Sequence, residues 1–189
     1  ESKQIVSVSY CDQSLTCLVW NAEDVISLRN KRIVGTMIGS LPGHPSQNTQ
    51  LSLPLSLLPE EVTLCLKNDW IKLEYSLPLE SKGNNFNIVT WNYPSTEEER
   101  RKVMVYQDLY EKGYYITSGL LFGGDFVVYP NDPILFHAEF IIRVQEWDNT
   151  IAPLDIISFG RIGVGTKKKC VLASINPKTE KIQYITLTW

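Results

Sequence analysis

Apolar positions along this chain repeat with two periods that alternate, about two residues for strands and about 3.6 for helices. SLTCLVW (14–20) reads as a strand, and RIVGTMIGSLP (32–42) is β-branched enough to be another, closed by Gly and Pro. Between them NAEDVISLRNK (21–31) reads as a helix, with Asn21 as its cap and Glu23 and Asp24 in its first turn. GHPSQNTQLSLP (43–54) is turn-rich and reads as a loop. LLPEEVTLCLKND (57–69) has Pro at a first helical position with two acids after it, and WIKLEYSL (70–77) alternates like a strand. From Leu77 to Pro94 the periodicity fades, and polar PLESKGNNFN marks a domain boundary.

The second half opens on the clearest helix, STEEERRKVMVYQDLYEKG (95–113). Thr96 and Glu99 have capping-box spacing, Val103, Tyr106 and Tyr110 share a face, and Gly113 ends it. Strands are expected at YYITSG, DFVVYP, FHAEFIIRV, KKCVLASI and KIQYITLTW, with a short helix over Pro153 to Phe159. The expected fold class is mixed α+β: a small N-terminal α/β domain (1–80), a linker (81–94), and a C-terminal domain (95–189) with a mixed sheet flanked by helices.

Composition narrows the class. With 43% hydrophobic and 21% charged residues the 189-residue chain is of globular type, and no apolar run approaches the ~20 residues of a membrane span. It opens on Glu1 without a methionine, so its start is read as trimmed. The four cysteines have no paired spacing, which favours reduced thiols in the cytosol or nucleus. A net charge of −3 argues against nucleic-acid binding by bulk charge, yet six basic residues lie between Arg161 and Lys181 against one acid, Glu180. That patch is either a solvated lysine-rich turn or a local anion-binding surface.

The candidate chemistry lies in GGDFVVYPNDPILFHAEF (123–140). Alternation sets Phe136, Ala138, Phe140, Ile142 and Val144 on one face of a strand, with His137, Glu139, Ile141 and Arg143 on the other. The Pro-Asn-Asp-Pro turn is expected to bring Tyr129 and His137 to one edge of the sheet, although a lone histidine is often structural. Neither histidine has a second histidine or a cysteine at ligand spacing, so a zinc site is not expected. Asp125 and Glu139 could begin a metal-nuclease pattern, but position 141 is isoleucine. In GRIGVGTKKK, Thr166 occupies the place of a phosphate-loop lysine, and serine or cysteine nucleophile motifs are missing. What remains is a metal-free group of Tyr, His and a lysine, which can cleave RNA because the 2′-hydroxyl is itself the nucleophile.

The stretches 123–140 and GRIGVGTKKKCVLAS (160–174) resemble the C-terminal nuclease domain of the tRNA-splicing endonucleases, and residues 18–61 are similar to the eukaryotic catalytic subunit that cuts the 3′ splice site. Such subunits carry a long polar linker, so the short one here is read as trimmed. The resemblance implies a catalytic triad at Tyr129, His137 and Lys168, and an RNA-clamping pair of Arg161 and Trp189. It further implies no cofactor or metal, precursor tRNA as substrate, and a nuclear heterotetramer with a second catalytic subunit and two structural ones. The expected reaction is metal-independent transesterification to a 2′,3′-cyclic phosphate and a 5′-hydroxyl. The alternatives are a non-catalytic structural subunit and a metal-dependent nuclease. The last strand, with Ile185, Leu187 and Trp189 on one face, either pairs across a subunit interface or belongs to the chain's own sheet.

Overall fold

The computed structural model describes residues 5–11, 15–40, 51–75 and 89–188. They form two compact units, 1–93 and 94–189. Among the described residues no helix is long and apolar enough to cross a membrane.

Unit 1 contains β1 (Val6–Cys11), β2 (Thr16–Val19), α1 (Ala22–Asn30), β3 (Thr36–Gly39), β4 (Ser52–Leu57), α2 (Pro59–Lys67) and β5 (Ile71–Tyr75). Its sheet has the order β3-β4-β2-β1-β5, with only β1 and β5 parallel. Local chemistry starts both helices where it was expected: the Asn21 side chain accepts from Glu23 N (2.8 Å), and Pro59 opens α2. Two strands were not assigned from sequence. β1 alternates buried and exposed residues, and Val6, Val8 and Tyr10 are core. β4 occupies the end of the segment read as a loop, whose residues 43–50 lie outside the described residues. Pro54 lacks an N–H to donate, and the register shifts between Met37 and Gly39 so that Leu53 and Pro54 oppose Ile38 alone. A Cβ on Gly39 would meet Leu53 O at 1.9 Å, so only glycine allows this approach. Of the segment read as linker, residues 81–88 lie outside the described residues. Trp91 and Tyr93 pack into unit 1, donating to Thr63 Oγ1 (3.0 Å) and to the Glu60 carboxylate.

Unit 2 contains α3 (Glu97–Glu111), β6 (Tyr115–Ser118), a 3₁₀ turn (Leu120–Phe122), β7 (Phe126–Tyr129), β8 (Phe140–Gln145), α4 (Pro153–Thr166), β9 (Lys169–Ile175) and β10 (Ile182–Leu187). The expected capping box is present, with Glu99 N donating to Thr96 Oγ1 and Thr96 N to the Glu99 carboxylate. The sheet runs β10-β9-β8-β7-β6, and β8 and β9 are its parallel pair, joined through α4. Both faces are covered. Tyr106 of α3 meets Phe126 edge-on, while on the other face Phe159 of α4 clusters with Ile141, Cys170 and Leu172 of the sheet.

Coverage on both sides corrects the one-faced reading of β8. Ile141 and Ile142 are both buried, facing α4 and α3 respectively, whereas Phe136 is 45% exposed. The strand begins at Phe140, so His137 lies in the connection before it. α4 does not stop at Phe159 but continues to Thr166, with Gly160 and Gly163 inside it. A Cβ on Gly163 would lie 2.7 Å from Lys168 O and 2.8 Å from Cys170 Sγ. Glycine there lets α4 seat directly on β9. Gly163→Ala is expected to destabilise unit 2 by about 1–3 kcal/mol, read as a lower midpoint in urea unfolding.

Candidate active site

The residues that carry chemistry meet at one end of the unit 2 sheet. Val128 pairs antiparallel with Phe140, and Phe140 pairs parallel with Lys169. The C-terminal end of β7 and the N-terminal ends of β8 and β9 therefore coincide, which gathers Tyr129, His137 and Lys168. Neighbouring strands lie about 4.8 Å apart, so the group spans about 10 Å from β7 to β9.

Alternation then selects the face. Val127 pairs with Ile141 on the α4 side, so Tyr129, two residues on, faces that side as well. Phe140 and Lys169 face α3: Lys169 Nζ lies 5.9 Å from the Phe140 ring, and Tyr114 packs edge-on against the same ring. Lys168 is set to the opposite face, where its Nζ lies 5.1 Å over the ring of Phe122, a residue packed on the α4-side cluster. Of the two adjacent lysines, it is Lys168 that shares a face with Tyr129. His137 is exposed in the connection that leads into β8, with Ala138 buried after it.

Local turns fix these positions. The Pro130–Phe136 connection is tied by Asp132, whose carboxylate accepts from Ile134 N (2.8 Å) and whose carbonyl accepts from Leu135 N and Phe136 N. At the end of α4, Lys167 adopts a left-handed conformation (φ 55°), and Lys168 N donates to Gly163 O (2.9 Å). Lys168 Nζ donates to Thr166 O (3.1 Å), among the carbonyls of the helix end, where a cation is favoured. Beside it lies an open cleft of about 280 Å³ lined by Gly160, Gly163, Val164, Lys167, Lys168 and Leu187. Arg161 is exposed, in the middle of α4 and after the buried Gly160. Trp189 lies outside the described residues.

Asp125 sits elsewhere. Its carboxylate accepts from Val144 N (2.7 Å) and pairs with Lys102 Nζ (3.1 Å) at the opposite end of β7 from Tyr129. Burial opposes the Lys102 charge, but Glu98 and Asp125 outweigh it and hold the ammonium above its ordinary range. The aspartate and the two glycines before it thus build the sheet: a Cβ on Gly124 would strike Ile141 Cγ2 at 2.7 Å. Among the described residues no group of three or more His, Cys, Asp or Glu is gathered to hold a metal ion. One neighbour of the site was missed from sequence: Phe122, beneath Lys168, had no local signal.

Two family models match the chain. Residues 6–75 match one described as TSEN34-like, N-terminal domain, and residues 100–184 match one described as tRNA intron endonuclease, catalytic C-terminal domain. The second match contains Tyr129, His137, Arg161 and Lys168. The tRNA-splicing endonuclease of Saccharolobus solfataricus is 44% identical over 85 residues, which cover 45% of this chain and 47% of that protein. A Saccharolobus islandicus enzyme of the same name is 41% identical over the same lengths. The mouse protein named tRNA-splicing endonuclease subunit Sen34 is 32% identical over 114 residues, 59% of this chain and 36% of that protein. The chain thus spans half or less of the length of these relatives. It belongs to the tRNA-splicing endonuclease family. Within that family, its N-terminal half is similar to the Sen34 type.

Proposed function

We propose that the chain is the catalytic subunit that cuts precursor tRNA at the 3′ splice site. The observation that carries this is the placement of Tyr129 and Lys168 on one face at one end of the sheet, with His137 exposed in the connection at that same end. In this reading Tyr129 takes the proton of the 2′-hydroxyl, His137 protonates the departing 5′-oxygen, and Lys168 stabilises charge on the phosphate. The products are a 2′,3′-cyclic phosphate and a 5′-hydroxyl; exchanging the Tyr and His roles gives the same products. No metal or cofactor enters the reaction.

Arg161, exposed on α4, is assigned with Trp189 to clamping a splice-site nucleotide. An arginine plane and an indole can hold an unstacked base between them. An acidic chain with one basic patch is poorly equipped to grip a whole tRNA alone. The proposed setting is a nuclear heterotetramer with a second catalytic subunit and two structural subunits. β10 is an edge strand, and though Leu187 packs on the chain's own core, Ile185 is 45% exposed, which suits pairing with a partner.

Assembled with its partner subunits, the enzyme is expected to cleave an intron-containing precursor equally well in EDTA, leaving cyclic phosphate and 5′-hydroxyl ends. Loss of cleavage in EDTA would favour a metal-dependent nuclease. A 3′ cut that survives loss of His137 would favour a structural subunit.

A further inference from the structure

The cleft beside Lys168 is lined by a second cation, Lys167, which the scheme above does not use. No Asp or Glu lines this cleft among the described residues, although the chain as a whole carries a net charge of −3. Lys169 borders it too, but its ammonium lies over the Phe140 ring on the α3 side of the sheet. Lys167 and Lys168 are therefore the charged groups that the cleft offers to a ligand, against a wall of Gly160, Gly163, Val164 and Leu187.

The end of α4 puts Lys167 there. Its backbone is left-handed (φ 55°, ψ 42°), and its N–H donates to Val164 O (3.2 Å). Glycine suits that position best, because a Cβ crowds the following carbonyl. The conformation alone assigns nothing, since Arg32 and Asp69 also take positive φ just after α1 and α2. The surroundings of the ammonium are what distinguish it. Carboxylates hold Lys102 and Lys112, and Thr166 O accepts from Lys168. Lys167 is exposed, and no hydrogen bond or ion pair among the described residues engages its side chain.

An unpaired ammonium in a cleft without carboxylates suits an anion. An RNA whose scissile phosphate lies on Lys168 carries a further phosphate on either side. The two lysines are neighbours, ~3.8 Å apart at Cα, so the flexible four-carbon side chain of Lys167 can reach an adjoining phosphate. We propose that Lys167 binds one of the two phosphates flanking the 3′ scissile phosphate and so holds the strand in the cleft. This deepens, and rests on, the reading of Lys168 as the residue on the scissile phosphate. The phosphate on Lys167 is unchanged by the cut, so the contact favours ground state and transition state alike. Uniform binding of this kind lowers the half-saturating concentration and leaves the rate of the bound complex alone.

The test is single-turnover 3′ cleavage by the assembled enzyme, across enzyme concentration and salt. Lys167→Gly is expected to raise the half-saturating concentration about fivefold at low salt, the upper size of an exposed ion pair, with the plateau rate kept. The slope of log affinity against log salt should fall by about 0.7–0.9, because one counterion fewer is released. The same variant should have a higher midpoint in urea, since glycine relieves the left-handed backbone. A gain in stability beside a loss of affinity separates a lost contact from a damaged fold. Lys167→Arg should recover most of the affinity. With an uncharged methylphosphonate at one of the two flanking positions, the parent should bind as weakly as Lys167→Gly, and the variant should lose nothing further. Parent-like affinity in Lys167→Gly, a loss independent of salt, or methylphosphonates that weaken parent and variant equally at both positions would overturn the inference. Lys168→Ala, run in parallel, should lower the plateau rate. If it does and Lys167→Gly binds like the parent, only the role of Lys167 falls. If Lys168→Ala keeps the parent's plateau rate, the assignment of the site falls and takes this inference with it.

Discussion

Replacing His137 with alanine is expected to slow 3′ cleavage of precursor tRNA by about 10²- to 10⁴-fold in an otherwise intact enzyme. The size follows from its task, because expelling a 5′-alkoxide without a proton raises the barrier, and each factor of ten is about 1.4 kcal/mol. The fold should hardly register the change. His137 is exposed and lies outside β8, and no described contact depends on its ring. Unchanged melting with a large loss of rate is therefore the expected pair of results. Tyr129→Phe removes only the phenol oxygen and should give a loss of the same order. Lys168→Ala also removes the cation from Phe122, so its loss includes a packing cost. The three losses should not add, since the groups serve one transition state. Separate rates for the two splice sites, with cleaved ends mapped, provide the measurement. A His137→Ala enzyme that cleaves as fast as the parent would remove the assignment.

The elements with local signals were the legible ones. Asn21 and the Thr96–Glu99 box each start a helix through bonds made within a few residues, and Pro59 does so through its fixed φ at the first helical position, so the chain announces them. β4 was hidden because Pro54 and the turn residues before it look like punctuation, and only the neighbouring bulge shows how a proline fits inside a sheet. The extent of α4 was hidden for a different reason. Its glycines look like terminators, but Gly163 answers to Lys168 and Cys170 on β9, a demand set by tertiary contact. The start of β8 was read too early because the exposed, apolar Ile134, Leu135 and Phe136 extend the hydrophobic pattern beyond the strand. In the site, the turn between Tyr129 and His137 was legible, and it leaves the two residues at the same end of the sheet. Lys168 was reached only through the family resemblance, and its place at the Tyr129 end of the sheet needs the parallel pairing of β8 with β9, which no local pattern encodes.

Glu61→Ala is expected to be the most damaging single change in unit 1, although the residue lies outside the candidate site. Its carboxylate is fully buried and accepts from Val34 N (3.0 Å), Gly35 N (2.9 Å) and Leu58 N (2.8 Å). One side chain thus ties the approach to β3 to the first turn of α2. Truncation leaves three N–H donors without acceptors, at about 1–3 kcal/mol for each one that stays buried. Small domains have only about 5–15 kcal/mol in all, so unit 1 should be largely or wholly unfolded in this variant. Hydrogen exchange on the full chain should show amides of β3, β4 and α2 losing protection while those of β8 and β9 keep theirs. Unchanged protection would mean that water or a shifted backbone takes the carboxylate's place. Burial pushes the Glu61 carboxyl up from its ordinary 4.5 to about 7, against the pull of the three N–H groups. The fold then holds a proton that the unfolded chain releases, so this contribution to stability is complete below about pH 4.5 and is lost as pH rises through about 7. Glu61→Gln keeps one acceptor oxygen and no titration, so it should unfold more readily than the parent while flattening that slope.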